Sequence, residues 1–211
     1  MKRFLPVVTG CLIAGIMFIL LQPYMVKAES PQNGALVEAA NVGNLVEVNR
    51  LLALGADPNS RRKESSELPW WKQALHPMEV GLPALTLAAN RASADIVEEL
   101  LTHGADPNIR DNLGSTPLMW AASHRQASAA HFETIRSLLR HGADVNAANE
   151  RGMTALMYAA MTAPPDVAKQ LLDNGTNAKN RDSSGHTAFY WAKLWKNTRA
   201  IPVLQSAGLT E

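Results

Sequence analysis

The chain has 211 residues, of which 46% are hydrophobic and 18% charged, which is enough for one globular domain and a leader. Its 20 basic and 19 acidic residues nearly balance, which argues against a nucleic-acid partner, because such a partner calls for a basic face. With one cysteine, Cys11, the chain cannot carry a disulfide framework.

The first element is the leader. Lys2 and Arg3 precede an apolar run from Phe4 to Leu21, and Val26-Lys27-Ala28 sets small residues at the two positions a signal peptidase reads. Residues 1–28 are therefore expected to be a secretory signal peptide cut after Ala28. The alternative is an uncleaved anchor, since about 18 apolar residues is near the lower limit for a spanning helix. The positive-inside tendency exports the rest of the chain in either case. Val8-Thr9-Gly10-Cys11 has the look of a lipoprotein processing box, but the apolar core follows it instead of preceding it. Removal of the leader leaves 17 basic against 19 acidic residues and no cysteine.

Beyond the leader two phrases alternate. LLALGADPN (Leu51 to Asn59) returns as LLTHGADPN (Leu100 to Asn108), as LLRHGADVN (Leu138 to Asn146), and in worn form as LLDNGTNAK from Leu171. The second phrase is GLPALTLAA from Gly81, GSTPLMWAA from Gly114 and GMTALMYAA from Gly152. Gly81 to Gly114 is 33 residues, Gly152 to Gly185 is 33, and Gly114 to Gly152 is 38, so one copy carries five extra. A fixed period of about 33 residues with a TPLxxAA phrase resembles the ankyrin repeat family. The resemblance covers the chain from about residue 31 to Glu211. It implies an all-α solenoid of helix-turn-helix units with short hairpin loops.

The residues support that parse on their own. Thr116, Thr154 and Thr187 suit the start of a helix, where a hydroxyl can accept from an orphan amide, and Pro117 suits the first helical position. Gly55, Gly104, Gly142 and Gly175 follow Leu-Leu tails, where a left-handed residue ends a helix. One such unit cannot bury its apolar face alone, so neighbours must stack.

Five repeats are expected within a domain of residues 29–211. In the first (31–59), Leu36, Ala39 and Ala40 mark one helix and Leu45, Val48, Leu51 and Leu52 the next. Asn59 and Asn108 lie 49 residues apart, 16 more than the period, which defines an insertion at 60–78. It is charged at first and then reads LPWWKQALHPM, so that Trp70 and Trp71 either pack back on a repeat or are offered to a partner. The second repeat (79–110) has Leu82-Pro83 in place of a capping threonine. The third (111–148) carries its extra residues near Arg125 to Ala130, between its helices. The fourth (149–181) turns on Pro164-Pro165. The fifth (182–211) has Pro202 where a helix interior is expected; there a proline costs about 3 kcal/mol, which predicts a shortened or kinked helix.

Catalytic signals are missing: there is no phosphate-binding Gly-Lys loop, no His-Glu-x-x-His and no Gly-x-Ser-x-Gly. His124 and His131 lack the further ligands a metal site needs. No catalytic residue, cofactor or metal is expected; His103, His141, Met119, Trp120, Met157 and Tyr158 are read as structural. The resemblance implies a binding module that grips another protein with hairpin tips and first helices. Carried onto this chain, its variable surface positions are Glu79, Leu82, Asn90, Arg91, Asn112, Leu113, Ser115, Ser123, His124, Glu150, Arg151, Met153, Met161, Ser183, Ser184, His186 and Lys193, to which the insertion adds Trp70 and Trp71. The family's histidine after Thr-Pro-Leu is replaced by Thr86, Met119, Met157 and Tyr190, so its bond to the capping threonine is expected to be absent. Leader and resemblance together predict a non-enzymatic, exported, periplasmic binder of a Gram-negative bacterium. Its expected partner is a protein such as a secreted toxin, neutralised as by an immunity protein. The alternatives are a protective partner of a periplasmic enzyme such as a catalase and, in another class, an enzyme or small-ligand binder.

Overall fold

Apolar residues spaced three and four apart become ten helices in the computed structural model, which describes residues 30–62 and 81–209. They form five pairs: α1 (Pro31–Val42) and α2 (Leu45–Ala53), α3 (Ala84–Asn90) and α4 (Ala94–Thr102), α5 (Pro117–Ala122) and α6 (Ala129–Arg140), α7 (Ala155–Thr162) and α8 (Pro165–Asp173), α9 (Ala188–Leu194) and α10 (Ile201–Ser206). The first helices pack in file, α1 on α3 on α5 on α7 on α9, and α2, α4 and α6 make a second file behind them. Among the described residues, β pairing is confined to two isolated bridges, Arg61 with Pro83 and Ala148 with Thr154, at the base of projecting fingers. This is the all-α helix-turn-helix solenoid that the repeat period implies.

Most of these helices have six to nine residues, too short to hold in water alone. Packing between neighbours makes up the deficit. The alanine pairs Ala88-Ala89, Ala121-Ala122 and Ala159-Ala160 are buried and small, which lets successive first helices approach closely. Leu85, Leu118 and Leu156 fill the space beside them, and Leu100, Leu138 and Leu171 do the same in the second file. Each such side chain stabilises the stack by about 1.5–3 kcal/mol. Gly55, Gly104, Gly142 and Gly175 close their helices at φ of +84° to +89°, as the Leu-Leu-x-x-Gly phrase implies.

The Asp-x-Asn turn that follows each of the first three copies acts as a connector. Asn59 Oδ1 accepts from the amide of Asp106 at 2.8 Å, Asn108 Oδ1 from Asp144 at 2.7 Å, and Asn146 Oδ1 from Asn177 at 2.7 Å. The amide of Asn108 also donates to the Gly142 carbonyl at 3.0 Å. Each repeat is thereby hydrogen-bonded to the next along one edge. Lys179 stands where the next asparagine would be, and an ammonium has no acceptor to continue the series.

Several expectations need correction. Thr154 and Thr187 do cap their helices, accepting from Met157 N at 3.4 Å and Tyr190 N at 3.5 Å, but Thr116 Oγ1, expected to do the same, has no partner. The amide of Met119 turns instead to the Thr116 carbonyl at 3.1 Å. Met119 is also where the family's histidine would stand, so the buried threonine hydroxyl lacks that partner too. Pro202 does not interrupt a helix interior: α10 is short and starts so late that the proline falls in its first turn, where no amide is needed. Finally, Ser60 to Arg62 belong to a finger and not to the insertion. The amide of Arg62 donates to Leu82 O at 2.8 Å, and Gly81 N donates to Arg62 O at 3.0 Å, so Arg62 and Gly81 are paired across that finger.

Candidate functional site

Each of the last three fingers is organised by one polar residue. Asp111 Oδ1 accepts from the amides of Leu113 and Ser115, both at 2.8 Å, and its Oδ2 accepts from Trp120 Nε1 at 2.8 Å. Asn149 Oδ1 accepts from Arg151 and Met153, both at 3.0 Å, while its Nδ2 donates to Tyr158 Oη and to Ser115 Oγ, both at 3.1 Å. Asp182 takes the amides of Ser184 and His186 at 2.9 Å and Trp191 Nε1 at 2.9 Å. The group that shapes each finger therefore also aims a ring on the following helix.

The choice of partner follows from the donor inventory. An indole N–H can only donate, so Trp120 and Trp191 face carboxylates; a phenol can accept as well, so Tyr158 can face an amide NH₂. Burial of Asp182 is the largest single influence on its titration and would raise its pKa. The donors His186 N, Ser184 N and the Trp191 indole, helped by the nearby His186 ring, outweigh it and hold the carboxyl below the ordinary 3.8.

Between the third and fourth fingers these rings leave a pocket of about 310 Å³. Trp120 and Tyr158 wall it, with Leu113 and Met119 adding apolar surface; Ser115 and Asn149 lie at its base, and Glu150 and Arg151 at its rim. Leu113 is 43% exposed, an apolar side chain held out at a finger tip. The aromatic surface continues in the fifth repeat, where His186 stacks on Tyr190 with ring centroids 3.7 Å apart and Trp191 meets both edge-on. A larger groove of about 550 Å³ lies on the outer face, but its cations are already paired: Arg136 with Glu133, Arg140 with Glu98 and Lys169 with Asp173. The inward-facing pocket is the better binding site because its walls are apolar and its polar groups few.

The surface positions carried from the resemblance separate into three groups. Arg91, Asn112, Leu113, Glu150, Arg151, Ser183, Ser184 and Lys193 are exposed, and Asn90, Ser123, His124, Met161 and His186 are half-buried. Leu82, Ser115 and Met153 are buried, a correction: they stand just before the helix start, where the finger folds back and its second arm packs on the stack. Trp70, Trp71 and Glu79 lie outside the described residues, as do the leader and Cys11. Trp120 and Tyr158, read from sequence as packing between repeats, are half-buried pocket walls, whereas Met119 and Met157 are buried. A signal for the rings does exist: each stands four residues after its threonine and nine after an aspartate or asparagine.

The histidines have structural contacts. His103 Nδ1 lies 2.9 Å from Glu99 O and His141 Nδ1 3.0 Å from Ser137 O, each at the end of its helix. His124 and His131 are adjacent, with centroids 4.5 Å apart, but His131 Nδ1 accepts from the Ser128 amide at 3.0 Å in a capping box. Burial, and then the neighbouring His124, lower its pKa. Among the described residues no three His, Cys, Asp or Glu side chains group as metal ligands.

A family model described as ankyrin repeats (3 copies) matches residues 36–149 and, in a second placement, residues 124–209. No match was found among curated proteins. The two matches span all five helix pairs, and the geometry they predict is the one present: the chain belongs to the ankyrin repeat family and is a protein–protein interaction module.

Proposed function

We propose that the chain is exported to the periplasm and there binds a partner protein across its fingers and first helices, neutralising it in the manner of an immunity protein. The observation that carries the binding reading is the pocket walled by Trp120 and Tyr158, with Leu113 held out beside it. Tryptophan and tyrosine in a desolvated pocket are the residues that dominate interface energetics. Support for neutralisation comes from the place of the insertion in the sequence, between Arg62 and Gly81, which are paired across a finger in the row that borders the pocket. Its Trp70 and Trp71, offered to a partner, would be the residues that cover a cleft in the bound protein. Export rests on the leader sequence, Lys2 and Arg3 ahead of an apolar run.

The test is capture from periplasmic extract, with the captured protein then assayed for its own activity. Trp120→Ala should weaken capture by at least about 2 kcal/mol, or roughly thirtyfold. Trp70→Ala with Trp71→Ala should release the partner's activity while leaving capture in place. Undiminished capture by Trp120→Ala would remove the pocket from the interface, and a captured enzyme that stays fully active would remove neutralisation.

A further inference from the structure

At the end of the first helices away from the fingers, the loops of the last three repeats enclose a second opening of about 290 Å³. The loop of the fourth repeat, Met161 to Pro164, forms its base. Arg125 overhangs it from the third repeat, and Lys196 and Arg199 from the fifth, with Trp195 beside them. Residues 123–128, 161–165 and 195–200 contain no carboxylate. Among the described residues the side chains of Arg125, Lys196 and Arg199 make no ion pair or hydrogen bond, whereas those of Arg50, Arg136, Arg140 and Lys169 are paired. Pro164 and Pro165 have no amide hydrogens to offer an anion, which leaves the three cationic side chains as the charged groups that can meet one here.

The backbone that presents them is fixed. Asn197 donates through Nδ2 to the carbonyls of Ala160 and Ala163 at 3.1 and 2.9 Å, tying the fifth loop to the fourth. Thr162 Oγ1 donates to Ser123 O at 2.7 Å, tying the fourth to the third. Lys196 sits at φ +56°, in the turn position where the first repeat has Gly43 at +80°. A residue with a side chain is strained there, and the Asn197 anchor holds it nonetheless. Three uncompensated cations around one concave opening focus a positive potential into it. The exposed Trp195 ring offers a flat apolar wall for the methylenes of a glutamate.

We propose that this opening binds an acidic peptide segment, its carboxylates met by Arg125, Lys196 and Arg199. The proposal rests on the chain being a protein binder and assigns part of the partner's chemistry: a carboxylate-rich segment that reaches past the first helices to the loop edge. The probe is a fluorescein-labelled hexaglutamate peptide, titrated into the purified chain and read by anisotropy. Arg125→Glu, Lys196→Glu and Arg199→Glu together should weaken binding by about tenfold or more, because all three contacts reverse sign. A control with the same change in net charge, Arg136→Glu with Lys169→Glu and Lys179→Glu, should cost less than about threefold, and circular dichroism should show both proteins helical. Equal losses in the two variants would make the effect one of bulk charge and overturn the site. Absence of binding to the parent chain near 0.15 M salt, about physiological ionic strength, would overturn it as well. Inorganic phosphate displacing the peptide where chloride at equal ionic strength does not would assign the opening to free oxyanions instead of a peptide. None of these outcomes bears on the Trp120 capture experiment, so the two readings stand or fall separately.

Discussion

Replacing Gly152 by alanine tests how closely the fingers are fitted to one another. Gly152 sits at φ +72°, and a Cβ there would lie 2.7 Å from Ser183 N and 2.9 Å from Asp182 Cα, both backbone atoms of the next finger. The left-handed conformation alone costs an alanine about 1–2 kcal/mol. Displacing a neighbouring backbone adds a term of the size of overpacking, about 1–3 kcal/mol, giving about 2–5 kcal/mol in all. Gly185→Ala supplies the control, since its φ is +83° but nothing lies within 4 Å of the added carbon. It should cost only the conformational part, about 1–2 kcal/mol, and the gain from a stiffer unfolded chain is common to both. Urea unfolding followed at 222 nm measures the difference. Repeat stacks can unfold in stages, so the midpoint of the C-terminal transition is compared in each protein. Equal losses in the two variants would show that the step between the Asn149 finger, which supplies Glu150 and Arg151 to the pocket rim, and the Asp182 finger is loose.

The remaining predictions concern single hydrogen-bonded devices. Asn108→Ala removes one bond to the Asp144 amide and one to Gly142 O, and should lower stability by about 1–3 kcal/mol, read as a shift in urea midpoint; no change would mean the edge bonds are replaced by water without loss. Asp182→Asn turns an amide NH₂ toward an indole N–H and should destabilise the fifth repeat by about 1–3 kcal/mol. Adding Trp191→Tyr recreates the pair formed by Asn149 and Tyr158, and should recover part of the loss; a double variant as unstable as the single would refute the donor-matching argument. Acid unfolding carries the sign of the lowered pKa. Because the folded carboxyl of Asp182 titrates below its unfolded value, its contribution is complete above the ordinary carboxylate range and disappears as pH falls through the folded pKa. Glu98 behaves likewise: Ser137 Oγ is its main hydrogen-bond donor and outweighs burial, with Arg140 and His141 adding to it. Stability should therefore fall less between pH 7 and about 3 in Asp182→Asn than in the parent chain.

What the sequence made legible is what recurs at consecutive positions. Leu100-Leu101 followed by Gly104, or Thr116-Pro117-Leu118 followed by Ala121-Ala122, each complete a device within nine residues, so the period, helix ends and buried faces could all be read. Thr116 shows the limit of such local reading, because whether a hydroxyl caps depends on which backbone carbonyl is nearer. Leu82, Ser115 and Met153 show another. The family pattern marks them as surface, but the fingers of this chain press that arm onto the stack, where Arg110 Nη1 donates to Gly114 O and Ala148 O, both at 2.8 Å.

The pocket escaped for a different reason, and that reason bears on how it can change. Its walls are set by pairs that stand nine residues apart and vary together in type, aspartate with tryptophan and asparagine with tyrosine. Neither member stands out alone: an aspartate in a turn and an aromatic residue in a short helix are each ordinary. Their relation is one of donor to acceptor and becomes visible only once the finger folds back over its helix. A single change at either place therefore leaves a buried donor or acceptor without its partner and weakens the stack before it alters the surface. Groove chemistry in this chain can change without loss of fold only by exchange of both members together, while the exposed tips, Leu113, Glu150 and Arg151, are free to vary singly. The tips are accordingly where differences in partner choice are expected to be written, and the ring pairs are what hold those tips in place.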